Sequence, residues 1–140
     1  MRKMAGGCLC GSVRYTVEAE PVLTAICHCR SCQKQSGSPF SVDLVVPSSS
    51  VTVQGKTKTF HETGDSGKPV ERRFCPECGS ALISWGAIAP NSLFIKTGTL
   101  DDPNWLVPTM EVYCDRAQPW VDLSGERQKF AKMPELPPGL

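Results

Sequence analysis

The chain has 140 residues, 40% of them hydrophobic and 21% charged, proportions of a folded globular domain rather than a disordered segment. Lys and Arg total 15 against 14 Asp and Glu, a formal net charge of +1, which argues against broad electrostatic binding to nucleic acid or to an anionic membrane. No apolar run approaches the length of a membrane span. Met1–Arg2–Lys3 leads into Met4–Ala5–Gly6–Gly7–Cys8 and not into an apolar signal core, so a cytoplasmic location is expected.

Strands dominate the reading along the chain. Between Ser12 and Glu18, Val13, Tyr15 and Val17 alternate with Arg14, Thr16 and Glu18, the period-two pattern of a half-buried strand. Val22–Ile26 is a short apolar run that enters a cysteine cluster, and Arg30–Gln35 after it is the best helix candidate, stopped by Gly37 and Pro39. Phe40–Val46, Val51–Gln54 and Lys58–Glu62 read as strands, then Gly64–Asp65–Ser66–Gly67 as a turn. Val70–Phe74, Ala81–Trp85, Leu93–Thr97 and Met110–Tyr113 complete the set. Trp120, after Pro119, is expected to anchor its segment to the body, and Met133–Leu140, with three prolines, to hang loose or pack as a tail. The expectation is a mainly β domain over residues 1–122 with a C-terminal tail over 123–140.

Cysteine is the anomaly. Of eight, seven fall in three tight clusters: Cys8 and Cys10, then Cys27, Cys29 and Cys32, then Cys75 and Cys78. Disulfides between such near neighbours are strained. Closely spaced thiolates, by contrast, converge readily on one tetrahedral zinc, so metal ligation fits better than disulfides or redox thiols. Cys75–Pro76–Glu77–Cys78–Gly79 has the form of a zinc knuckle, and Cys8 and Cys10 are its natural completion to a closed, structural four-cysteine site. Cys27, Cys29 and Cys32 remain. Three protein ligands with an open position is the pattern of a catalytic zinc, unless Cys114, His28 or His61 closes the site. An open, thiolate-rich zinc suits an incoming thiol held as its thiolate. Arg30, Lys34, Arg72 and Arg73 flank the clusters as candidate partners for the carboxylates of a thiol-bearing peptide.

Gly7–Cys8–Leu9–Cys10–Gly11, Cys27–His28–Cys29–Arg30–Ser31–Cys32 with Ser36–Gly37–Ser38–Pro39–Phe40, and Phe74–Cys75–Pro76–Glu77–Cys78–Gly79–Ser80 together resemble the glutathione-dependent formaldehyde-activating family, which includes the centromere protein V domain. Gln118–Pro119–Trp120 matches the family's C-terminal signature more weakly. The resemblance implies an Mss4-like fold of antiparallel β-sheets stapled by zinc. It implies a structural zinc on Cys8, Cys10, Cys75 and Cys78 and a second zinc on Cys27, Cys29 and Cys32, two Zn2+ ions per chain. Glu111 stands where many relatives carry a histidine, and Cys114 has no counterpart there. The implied activity is that of a carbon–sulfur lyase joining or parting a small thiol such as glutathione and a small aldehyde such as formaldehyde. The alternative is a non-catalytic zinc module that binds a protein or a small thiol.

Overall fold

Period-two alternation builds two sheets that share one core. In the computed structural model, which describes residues 1–140, the smaller sheet has the order β1-β2-β5, with β1 at Lys3–Gly7, β2 at Arg14–Glu18 and β5 at Val51–Gln54. The larger sheet contains β3 (Leu23–Cys27), β4 (Ser41–Pro47), β6 (Lys58–Thr63), β7 (Pro69–Phe74), β8 (Ala81–Gly86), β9 (Ser92–Lys96), β10 (Met110–Val112) and β11 (Gln128–Lys129). Its order is β11-β10-β3-β4-β9-β8-β7-β6. One helix, α1 at Arg30–Ser36, follows β3 and ends on Gly37, whose left-handed φ of 69° closes the helix without a Cβ clash. No helix is long and apolar enough to cross a membrane.

Successive side chains on a strand point to opposite faces, and the larger sheet uses both faces. Leu44, Val46 and Ile95 join Val13, Tyr15 and Val17 of the smaller sheet in a buried cluster that also takes in Cys8, Cys75, Leu82 and Ile83. The alternate residues, Asp43, Val45, Phe94 and Lys96, face away from that core into a cavity. Cross-strand register aligns this second face. Ala25 pairs with Asp43 and Asp43 with Lys96, while Leu23, Val45, Phe94, Ser84 and Arg72 follow one another across five strands.

The mainly β expectation holds, and the structure adds detail to it. Most neighbours are antiparallel, but β10 runs parallel to both β3 and β11. Two strands escape the sequence pattern. In β1 the Gly6–Gly7 pair hides the alternation, yet Gly6 is required: a Cβ there would overlap the Tyr15 hydroxyl and the Thr99 carbonyl. Strand β11 is only two residues long, too short for a periodic signal. Trp120 does not anchor its segment; it is 71% exposed. Trp105 is the indole that packs against the core, with the Arg2 guanidinium stacked 3.9 Å from its ring.

Candidate metal centres

Cys8 and Cys10 lie in the turn between β1 and β2, and Cys75 and Cys78 in the turn between β7 and β8, so the four thiols bring the two sheets together. Their Sγ atoms all fall within 4.8 Å of one another, with Cys8 to Cys10 at 3.6 Å and Cys10 to Cys75 at 3.8 Å. A tetrahedral zinc with ligands at about 2.3 Å sets its sulfurs about 3.8 Å apart, so the donor set fits that ion. Gly79 holds a left-handed φ of 78°, as the knuckle reading expected, and its N–H reaches back to the Cys75 carbonyl at 2.8 Å. Neutral donors surround the sulfurs. The Ser80 hydroxyl lies 3.2 Å from Cys78 Sγ, and that serine is the main reason the Cys78 thiol is pulled down to about 5. Burial works against the Cys8 thiolate, but the Val13 N–H and the Ser12 hydroxyl outweigh it and bring the thiol to about 7.

The second cluster is built differently. Cys27 ends β3, Cys29 caps α1 by accepting the Cys32 N–H at 3.2 Å, and Cys32 sits in the first turn of the helix. All three Sγ atoms lie within 4.8 Å of one another, a spacing that again fits a soft metal ion. Here the compensating charge is a cation. Arg72, 6% exposed, places Nη1 and Nη2 at 3.7 and 3.8 Å from Cys32 Sγ and gives its Nε to Glu62 at 2.8 Å. Burial opposes the Arg72 charge, but Cys32 and Glu62 more than offset it and raise its pKa. Among the sulfurs, contacts with Cys27 and Cys32 draw the Cys29 thiol down to about 3, while contacts with Cys29 and Cys32, together with burial, hold Cys27 up.

Cys27, Cys29 and Cys32 line a cavity of about 240 Å³; Cys8, Cys10, Cys75 and Cys78 do not. Of the flanking cations, Arg30 and Arg72 reach the cavity. Arg73 turns instead to the Thr57 hydroxyl, and Lys34 is solvent-exposed. None of the three residues considered as a fourth ligand lines the cavity. His61 is an exposed side chain near Glu71. His28, 2% exposed, gives its Nε2 to Glu111 Oε1 at 2.7 Å. Cys114 groups with His28 and Glu111 rather than with the three cysteines.

That last group belongs to a buried network which the sequence did not reveal. Glu111 also accepts Arg127 Nε at 2.8 Å, both side chains being less than one-tenth exposed. Burial would raise the Glu111 carboxyl, yet His28 and Arg127 hold it below its ordinary value. The network ties the cysteine loop to β10 and to the residues that lead into β11. Tyr113 follows β10 with a left-handed φ of 54°, an uncommon conformation for a tyrosine, and it too lines the cavity.

The family described as glutathione-dependent formaldehyde-activating enzyme matches residues 3–116, a span that includes all seven clustered cysteines. The chain belongs to this family. Two curated relatives, from Emericella nidulans and Sordaria macrospora, share 33% identity over 75 residues and 35% over 72. Both are named "Putative glutathione-dependent formaldehyde-activating enzyme". The matched stretches cover 54% and 51% of this chain but only 38% and 30% of those relatives. Among solved structures, a Rhodobacter sphaeroides protein superposes with a TM-score of 0.60 at 21% identity, over 75% of this chain and 98% of its own. That likeness is one of fold.

Proposed function

We propose that the protein is a zinc-dependent carbon–sulfur lyase acting on the adduct of a small thiol, glutathione-like, with a small aldehyde such as formaldehyde. The observation that carries this reading is the position of the three-cysteine cluster in the wall of a concave cavity, with no histidine or fourth cysteine beside it there. Family membership and the names of the curated relatives agree with it. Cys8, Cys10, Cys75 and Cys78 would hold a structural zinc, and Cys27, Cys29 and Cys32 a second zinc open to the cavity. Bound there, the second ion supplies a soft Lewis acid that favours the thiolate form of an incoming thiol.

The remaining work falls to the chain. Arg72 places a permanent cation beside the cysteine sulfurs, limiting the accumulation of negative charge when a further thiolate enters. In the synthetic direction the thiolate sulfur forms a bond to the aldehyde carbon. The carbonyl π pair moves to oxygen, which takes up one proton to give the hydroxyl of the adduct. Cleavage reverses each of these movements, and no electrons are gained or lost overall. The cavity holds the thiol body close to the aldehyde, raising the effective concentration of the pair.

Exchange NMR on a thiol and carbon-13 formaldehyde at equilibrium tests this directly. The zinc-loaded protein is expected to speed the interchange between free aldehyde and adduct, and Cys29→Ser to abolish that acceleration while leaving the fold intact. Thiol binding without acceleration would instead establish the non-catalytic module.

A further inference from the structure

The charges inside the cavity are already spoken for. Four cations line it: Arg30, Arg72, Lys96 and Arg116. Arg72 is paired with Glu62 at 2.8 Å, Lys96 with Asp43 at 2.8 Å and Arg116 with Asp65 at 3.3 Å. Burial opposes the charge on Lys96, but Asp43 more than compensates and raises its pKa. Only Arg30 lacks a carboxylate partner, and its guanidinium donates to the Gln33 side chain. Glutathione carries two carboxylates and an ammonium group. Seating it against Arg72 or Lys96 would break largely buried pairs and leave an uncompensated charge behind, whereas Arg30 is free and the Arg116–Asp65 pair is partly exposed.

The walls have the opposite character. Phe94, Val45 and Val70 come from the second face of the large sheet, and Met133, Leu136 and Leu140 come from the C-terminal segment. All three residues of that segment are half-buried, whereas Glu135, Pro137 and Pro138 between them are exposed. The segment therefore turns one apolar side to the cavity. It is held in place by the buried Arg127–Glu111 pair and by β11 beside β10. It also lies wholly outside residues 3–116, the part of the chain shared with the family. Among these apolar surfaces one neutral polar group is unused: Ser84 is 7% exposed, lines the cavity, and its hydroxyl has no partner within the protein.

We infer that among small thiols this site prefers one with an apolar body and few charges over glutathione itself, and that Met133 and Leu136 set that preference. The inference rests on the thiol-adduct reading given above. Apolar walls take the body of the thiol, Arg30 is available to a single anionic group, and Ser84 can hydrogen-bond the hydroxyl that the aldehyde carbon bears in the adduct. The family segment thus supplies the metal ligands, and the segment beyond it supplies the selectivity.

Calorimetry and tryptophan fluorescence on the intact, zinc-loaded protein test the inference without any turnover, since Trp85 lines the cavity. Three probes suffice: phenylmethanethiol, glutathione and 2-mercaptoethanol. Phenylmethanethiol is expected to bind about tenfold or more tightly than glutathione, because burying even part of its ring stabilises the complex while displaced ion pairs weaken the alternative. Met133→Ser and Leu136→Ser should each weaken phenylmethanethiol about fivefold. Binding of 2-mercaptoethanol, too small to reach the segment, should stay unchanged and so report an intact site in the same variants. Glutathione binding as tightly as phenylmethanethiol would overturn the inference and leave the thiol-adduct reading standing. Serine variants that bind phenylmethanethiol like the parent would overturn the role of the segment. Failure of all three thiols to bind would overturn the thiol-adduct reading together with the inference.

Discussion

Two cysteine clusters in one small domain share their ligand chemistry and differ in nearly everything around it. The four-cysteine cluster draws on segments 65 residues apart and lies where the two sheets meet, among serine hydroxyls and backbone N–H groups. The three-cysteine cluster comes from one loop and the helix that follows, is flanked by the Arg72 guanidinium, and faces the cavity. A metal that joins distant segments acts on the folding equilibrium of the whole domain, whereas one that closes a short loop acts mostly on that loop. On the proposed reading, topology more than ligand type would set one cluster to stability and the other to chemistry.

The largest effect expected from this contrast follows loss of a four-cysteine ligand. Structural zinc contributes roughly 10 kcal/mol or more of apparent binding free energy, comparable to the whole stability of a domain this size. Cys75→Ser or Cys8→Ser should therefore give insoluble or chelator-sensitive protein, checked by soluble yield and near-UV circular dichroism. Cys29→Ser should do much less, leaving a folded β domain with one metal ion fewer by elemental analysis and no measurable thiol binding. Equal collapse of all these variants would erase the distinction between the clusters.

A smaller effect tests the buried link that steadies the cavity side. Glu111→Ala leaves Arg127 buried without its partner, which should cost about 3 kcal/mol and lower the melting temperature by roughly 10 °C. The Glu111 carboxyl sits below its ordinary value in the folded chain, so the folded state binds fewer protons than the unfolded state around that pKa. Its contribution is present in full above its ordinary value of 4.5 and is lost as pH falls through the lower folded value. Urea midpoints should accordingly separate parent from Glu111→Ala near neutral pH and converge in acid. The smallest effect belongs to the exposed Arg14–Asp101 pair, whose side chains are 45% and 53% accessible. Asp101→Asn should leave stability nearly unchanged, so a clear loss by denaturant titration would mean that the small sheet depends on charge as well as on metal.

Much of this was legible in the sequence, for identifiable reasons. Strands such as Val51–Gln54 and Ala81–Gly86 carry their own apolar pattern, and the helix over Arg30–Ser36 is bounded by Gly37. The cysteine spacing marked the three clusters because turn geometry is local, and completing a four-ligand set paired Cys8 and Cys10 with Cys75 and Cys78, which the fold brings together across 65 residues. What stayed hidden was non-local. Arg127 meets Glu111 only because β10 lies beside β3 and the chain returns along β10, and no local period marks such a return. Met133, Leu136 and Leu140 looked like stray apolar residues in a proline-rich tail; only the fold reveals the cavity they face. Arg72 and Arg73 are neighbours on one strand, and which of them turns inward depended on the bulge and register that only the sheet determines.

If the clusters divide as proposed, one metal ion should leave without the fold and the other should not. Stepwise competition of the zinc-loaded chain with a chelator, following released zinc and near-UV circular dichroism together, measures this most directly. Two zinc ions per chain are expected, the first released with the near-UV signal unchanged and thiol binding lost, the second released only as the tertiary signal collapses. Release of both ions in a single step that carries the fold with it, or complete metal removal that leaves the near-UV signal intact, would contradict that division.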